Sequence, residues 1–294
     1  MKLSNYKTNQ ELIVETKSLL LKYLLFKITN KSKNNIKSQL TRGNILVDGK
    51  VITKHDYMLQ PGQKITVKWA QIHDKDHKDV LDIIYEDDDI IVINKPVGLL
   101  SIATNDEKIN TAYYMVMNYL KQKKSRNHIF VVHRLDRDTS GVLLFAKNER
   151  IKFALQDNWN NLVTKRGYTV IVEGKMKKDT DTIKSWLKET KTFLVYSSNR
   201  KGDGQEAITH YRRIRESGKY SMLDINIDTG RKNQIRVHMK DINHSIIGDK
   251  KYGSRSNPLN RLGLHAHILE FKHPFTKEIM HFKAPVPEEF MKLF

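Results

Sequence analysis

Val131-Val132-His133-Arg134-Leu135-Asp136-Arg137-Asp138-Thr139-Ser140-Gly141-Val142-Leu143-Leu144-Phe145 sets a charge-dense loop between two apolar runs. Thr139, Ser140 and Gly141 are turn formers, and Val142 to Ala146 reads as a buried strand. The loop is therefore expected at the edge of a rigid sheet, where its side chains are held still and still meet a ligand. Asp136 and Asp138 lie among Arg134 and Arg137, which favours the ionised carboxylate. Taken alone, this pattern is a salt-bridged surface turn. The rest of the chain must decide whether it is more.

Working outward towards the C-terminus, Asn148 is placed to cap a helix through Phe153, Ala154 and Trp159. Tyr168 to Val172 predicts a strand that ends at Glu173-Gly174. Ala207 to Ile214 and Met222 to Ile227 flank Ser217-Gly218 as a hairpin, with Leu223, Ile225 and Ile227 on its buried face. After Thr229-Gly230-Arg231, a short helix puts Ile235, His238, Met239 and Ile242 on an apolar face and Asn233, Arg236 and Lys240 opposite. Leu264 to Phe271 is a further strand, with His265 and His267 on one side. No carboxylate or third histidine accompanies them, so they read as satisfied histidines rather than metal ligands. Towards the N-terminus, Leu81 to Tyr85 and Ile90 to Asn94 form a hairpin whose second strand is continuously apolar and hence buried. Lys95-Pro96-Val97-Gly98 stops it, and Thr111 to Leu120 reads as a helix.

Residues 1–80 carry fourteen Lys and one Arg against seven acids, a local excess of +8. Leu20, Leu21, Leu24 and Leu25 mark a helix. Ser32 is placed to cap a second one through Leu40, which Gly43 stops. Ile45 to Val47, the turn Asp48-Gly49 and Lys50 to Ile52 predict a hairpin. Pro61-Gly62 turns the chain into the strand Lys64 to Lys68. Two short basic helices beside a small hairpin suit RNA binding. The stretch 71–79 is polar and aperiodic, so the domains are expected at 1–72 and 81–294, with 73–80 between them as linker.

Composition narrows the classes further. A hydrophobic content of 39% over 294 residues supports real cores. No cysteine is present, which excludes disulfides, thiolate nucleophiles and Cys-ligated metal. The net charge of +19 points to a polyanionic partner. The greasiest run, Leu19 to Phe26, is interrupted by Lys22 and is too short for a membrane span. A cytoplasmic, monomeric protein without a membrane partner is expected.

Walker-type, HExxH and GxSxG signatures are missing. What remains is an Asp-centred loop, scattered Arg residues and a strand-borne Tyr in a basic protein, a combination that fits carboxylate covalent or general-base chemistry on a polyanion. Here the motifs become specific. His133 to Gly141 resembles the signature of the RluA-type family of RNA pseudouridine synthases. Ile93 to Leu99, Tyr168 to Gly174, Thr229 to His238, Ile247 to Gly253 and Arg261 to Ala266 match that family in order. In front of them, Leu40 to Val51 and Leu59 to Ile65 resemble the αL RNA-binding motif of a small-subunit ribosomal protein and of tyrosyl-tRNA synthetases.

The resemblance implies an α+β (α/β) catalytic domain on a mixed, largely antiparallel sheet, preceded by a small αL domain. It implies isomerisation of uridine to pseudouridine in RNA, by family default in large-subunit ribosomal RNA, with no cofactor and no metal. Asp136 takes the catalytic place, attacking ribose carbon 1′ or acting at carbon 2′. Arg236 takes the place of its partner, and Tyr168 that of the active-site tyrosine. Arg134, His133 and Arg231, with Arg42 and Lys37 of the N-terminal module, are the expected RNA-binding residues. One departure stands out: Asn233 occupies the place where the family commonly has His. The alternative is a non-catalytic rRNA-binding or ribosome-assembly protein on the same fold.

Overall fold

The computed structural model describes residues 9–29, 31, 33–41, 44–69, 81–104, 107, 110–123 and 128–294. They fall into two compact units, Met1–Val80 and Leu81–Phe294. The expected linker and the expected caps Ser32 and Gly43 lie outside the described residues.

The first unit contains β1 (Asn9–Ile13), β2 (Ser18–Leu19), α1 (Leu20–Lys27), α2 (Lys33–Thr41), β3 (Ile45–Val47), β4 (Lys50–Val51), β5 (Met58–Leu59) and β6 (Lys64–Lys68). A four-stranded sheet in the order β1-β6-β3-β4 backs the helices, and β2 pairs with β5. Leu20, Leu24, Ile36 and Leu40 from the helices meet Ile45, Val47, Ile65 and Val67 from the sheet. The predicted hairpin closes through Asp48 and Gly49, both at positive φ, as the twist of a two-residue turn requires.

The second unit contains β7 (Ile83–Glu86), β8 (Ile90–Lys95), α3 (Ala112–Gln122), β9 (Phe130–Val131), β10 (Ser140–Ala146), α4 (Glu149–Asp157), α5 (Trp159–Leu162) and β11 (Val163–Glu173). It continues with β12 (Thr180–Glu189), β13 (Val195–Ser198), β14 (Gln205–Glu216), β15 (Tyr220–Ile227), α6 (Gln234–Asp241), β16 (Leu264–Lys272), β17 (Ile279–Lys283) and α7 (Glu288–Met291). One eleven-stranded sheet runs β13-β12-β14-β15-β11-β16-β10-β8-β7, with β17 on β16 and β9 on β10. Every pairing is antiparallel except β10 with β16. The sheet is thus mixed and largely antiparallel.

Both faces of β8 and β10 are covered. Ile91, Ile93, Leu143 and Phe145 pack against Val116 and Leu120 of α3. The alternate residues Ile90, Val92, Val142 and Leu144 pack against Ile151 and Leu155 of α4. Full burial explains why these strands read as unbroken apolar runs. Thr111 and Asn148 cap α3 and α4, each accepting a hydrogen bond from the backbone N–H three residues on. α4 stops at Asp157, so Trp159 belongs to the separate turn α5 rather than to the predicted single helix.

Candidate active site

One cross-strand row assembles the site. Lys95 pairs with Gly141, Gly141 with Ala266, Ala266 with Tyr168, and Tyr168 with Ile225. The loop that precedes β10 is thereby brought over the strand that carries Tyr168. Gly141 has φ +115, and a Cβ there would lie 2.1 Å from the Ala266 carbonyl oxygen. Only glycine lets the parallel pair β10–β16 approach this closely.

The Asp136 loop is pinned through its backbone. Ser101 Oγ donates to the Leu135 carbonyl (2.7 Å) and accepts from the Leu135 N–H (3.0 Å). The buried Lys95 ammonium donates to the carbonyls of Pro96 (2.9 Å), Leu99 (2.7 Å) and Arg137 (3.1 Å). Burial pulls Lys95 down to about 7, opposed by the charges of Asp138 and Asp136. The Thr139 N–H closes the turn on the Asp136 carbonyl at 3.1 Å. Among the described residues, the Asp136 carboxylate has no hydrogen-bond or ion-pair partner. Asp138 instead takes Arg137 Nε at 3.2 Å, at the surface.

Asp136 opens into a cleft of about 290 Å³. Arg134, Leu135 and Thr139 line it on the loop side, Tyr168 and Leu264 on the sheet, and Gly230 to Arg236 opposite. Burial pushes the Tyr168 hydroxyl up to about 12; Arg166 opposes this and the Asp136 charge adds to it. The hydroxyl is therefore protonated at neutral pH.

The opposite wall is built on Gln234. Its buried side chain accepts from Thr229 Oγ1 (2.8 Å) and the Arg231 N–H (3.0 Å), and donates to the Ile208 carbonyl (2.9 Å) and Thr209 Oγ1 (3.0 Å). Arg166 donates to the Asp228 carbonyl, and a Cβ at residue 230 would lie 2.9 Å from its Nη1. Gly230 thus leaves the room in which the Arg166 guanidinium supports this wall. Arg231 is exposed on the rim, its Nε on the Glu206 carbonyl at 2.9 Å.

Arg236, expected as the partner of Asp136, lines the cleft but makes its paired hydrogen bonds to another acid. Its Nε donates to Asp249 Oδ2 and its Nη2 to Asp249 Oδ1, both at 2.7 Å, and Nη1 donates to Asn233 Oδ1 at 3.2 Å. Burial pulls Arg236 down, and the bonds and charge of Asp249, with Asp136 adding, carry it above its ordinary value. Asn233 sits at φ 55, a left-handed conformation that asparagine tolerates, and donates to the Tyr252 hydroxyl at 3.1 Å. It therefore holds the helix start and Arg236. α6 is also more buried than a one-sided helix: Gln234, Ile235, Val237, His238 and Met239 are all covered.

Of the remaining expected RNA-binding residues, His133 belongs to the same unit as the cleft. His133 does not line it. Its Nε2 accepts from the Leu144 N–H at 3.0 Å and its ring stacks on Trp159, with centroids 5.0 Å apart. Lys37 is exposed on α2 of the first unit. Arg42 lies outside the described residues. His265 Nδ1 and His267 Nδ1 hydrogen-bond Ser140 Oγ (2.8 Å) and Thr169 Oγ1 (3.1 Å). No cluster of three potential metal ligands occurs among the described residues. Gln234, Asp249 and Arg166 were not singled out as site residues. A signal existed for Asp249: an arginine on a mostly apolar helix requires a buried acid, and Gly248-Asp249 is the turn that follows it.

Comparison with known proteins identifies the family. The family model for RNA pseudouridylate synthase matches residues 89–241. The Bacillus subtilis (strain 168) protein named uncharacterized RNA pseudouridine synthase YlyB is 33% identical over 273 residues, covering 89% of this chain and 88% of its own. A Vibrio cholerae protein named ribosomal large subunit pseudouridine synthase D is 32% identical over 284 residues, covering 90% and 86%. The human RNA pseudouridylate synthase domain containing 4 shares the fold, with a TM-score of 0.58 at 21% identity over 71% of this chain and 90% of that one. With identity of this order running through most of its length, the chain belongs to the RluA-type family of RNA pseudouridine synthases, isomerases that convert uridine to pseudouridine within RNA.

Proposed function

We propose that this enzyme modifies uridine in large-subunit ribosomal RNA, with Asp136 as its catalytic carboxylate. The observation that carries the reading is the carboxylate itself: fixed through its backbone, turned to a cleft shared with Tyr168 and Arg236, and engaged by no other described side chain. A structural acid would be consumed by a partner, as Asp249 is. Asp136 attacks ribose carbon 1′, or takes a proton from carbon 2′, and the bond to uracil N1 breaks. The base turns and carbon 5 bonds to carbon 1′ as the bond to Asp136 breaks, or as the proton returns to carbon 2′; the carbon 5 proton then leaves and N1 takes one up. Tyr168 stacks on the uracil, and its protonated hydroxyl relays a proton only as it receives one.

Reaching the glycosidic carbon requires the nucleotide out of its stack, and Arg134 on the cleft rim is the residue proposed to hold it there. Arg231 is proposed to contact the backbone, while the first unit is read as an αL-type module that tracks RNA with Lys37 and Arg42. The ribosomal target is favoured by relatives named ribosomal large subunit pseudouridine synthase D. The enzyme is proposed to work in the cytoplasm, as a monomer without cofactor or metal.

The test uses RNA from cells that lack the gene, labelled with tritium at uracil carbon 5 and separated into ribosomal and transfer fractions. Release from the large-subunit fraction that vanishes in Asp136→Asn, with RNA binding retained, is expected. Release from the transfer RNA fraction alone would overturn the target. Binding without release from either would favour a non-catalytic assembly protein.

A further inference from the structure

We infer that Asp249 and Asn233 are positioning residues that convert Arg236 from a counter-ion of Asp136 into a directed hydrogen-bond donor. This rests on the reading of Asp136 as the catalytic carboxylate.

The geometry follows from donor counting. A guanidinium carries five N–H groups in a rigid plane. Asp249 takes two of them and Asn233 a third. The Tyr252 ring lies against the guanidinium, 4.9 Å from its carbon to the ring centroid. With three donors occupied, the plane is fixed and two N–H groups remain. Arg236 lines the cleft although its side chain is only 12% exposed. Those remaining donors are the part of it that a nucleotide, or Asp136, can meet.

The charge balance follows from the same contacts. The Asp249 side chain is 1% exposed, so its negative charge is spent on Arg236 rather than on water. The pair is close to neutral when seen from the cleft. Asp136 faces Lys95 from β8, Tyr168 from β11 and Arg236 from α6, with Arg134 on its own loop and Arg231 on the opposite rim. A full cation at 236 would hold Asp136 in a tight ion pair and blunt it as a nucleophile or base. A guanidinium already matched by Asp249 orients it without that cost. Asn233 closes the third side, and through Tyr252 it ties this network to the turn that bears Asp249.

The experiment is tritium release under single turnover from RNA of gene-deleted cells, labelled at uracil carbon 5, with RNA affinity measured beside it. In Asp249→Asn, Arg236 becomes an unmatched cation beside Asp136. RNA affinity is expected to hold. The maximal rate is expected to fall by about 100-fold, as a guanidinium loses its alignment. Asp249→Glu keeps the charge, so it is expected to recover part of the rate that Asp249→Asn loses. Asn233→Gly tolerates the left-handed backbone and removes one hydrogen bond; its maximal rate falls while RNA affinity holds. Folding of each variant is checked by its unfolding midpoint. If Asp249→Asn does not fold, Asn233→Gly decides. A folded Asp249→Asn with the wild-type rate overturns the inference, as does an unchanged rate in Asn233→Gly. Asp136→Asn separates the two levels: residual turnover there sinks the catalytic reading itself, whereas a dead Asp136→Asn beside an unaltered Asp249→Asn sinks only the positioning role.

Discussion

At Tyr168 a single atom separates two roles. The ring packs between two core clusters, so its bulk is structural, while its hydroxyl has no hydrogen-bond partner among the described residues. Tyr168→Phe therefore leaves no polar group stranded, and stability is expected to stay within about 0.5 kcal/mol. If the hydroxyl relays a proton, turnover falls by about 100-fold or more while RNA affinity changes less than about twofold. Wild-type turnover in Tyr168→Phe would remove the hydroxyl from the mechanism and leave the ring as a stacking surface. His133 shows the opposite case. It stands beside Arg134 in the same motif, yet accepts a backbone N–H and stacks on Trp159 while Arg134 lines the cleft. Adjacency in a motif does not decide which side chain reaches the ligand; local geometry does.

Elements with a strong period are legible in the sequence. The apolar runs of β8 and β10, the hairpin β14–β15 and the short helix α6 lie where the pattern of residues puts them. The missed strands share a physical reason. β12 reads Thr180-Asp181-Thr182-Ile183-Lys184-Ser185-Trp186-Leu187-Lys188-Glu189, with polar residues at most positions and a buried Ser185 where an apolar residue is expected. Ser185 Oγ meets His238 Nε2 at 2.9 Å, a pairing that no local window can show. Likewise, the fork from Arg236 to Asp249 spans thirteen residues and depends on the turn between them. The close approach of β10 and β16 is also non-local, and Gly141 alone hints at it. Gly141→Ala forces a methyl group to within 2.1 Å of the Ala266 carbonyl oxygen at a φ that alanine avoids. A loss of about 3 kcal/mol or more is expected in urea unfolding, with turnover lost alongside because the Asp136 loop rides on β10. An alanine variant with the wild-type midpoint would mean that the pair can part freely.

Across the whole molecule, the basic excess and the two-unit organisation are composition-level facts, but the buried polar groups that tie the second unit together set its response to acid. Burial pulls His238 down to about 4, and His133 and His265 are lowered to about 4 as well, mainly by burial. Each works as a neutral ring: His238 between Ser185 and Thr209 hydroxyls, both 2.9 Å away, His265 on Ser140, and His133 as an acceptor from Leu144. In the unfolded chain a histidine titrates near 6.5. Between pH 6.5 and about 4 the unfolded state thus binds protons that the native state refuses. Stability is full above that window and falls as pH drops through it, by up to about 3 kcal/mol per histidine at the acid end. Carboxylates enter later. At Glu173, hydrogen bonds from Ser254, Ser256 and the Arg255 N–H outweigh burial and lower its pKa, so its contribution is lost only below about pH 4.5. Urea unfolding at pH 7, 6, 5 and 4.5 therefore reads chiefly the histidines, with Lys95 adding a smaller change near pH 7. A midpoint that declines steadily over that range, and declines less in His238→Gln, is expected. A midpoint equal at pH 7 and 4.5 would mean that the buried rings accept protons in the native fold, and that the hydroxyl partners of His238 and His265 rotate to acceptors at little cost.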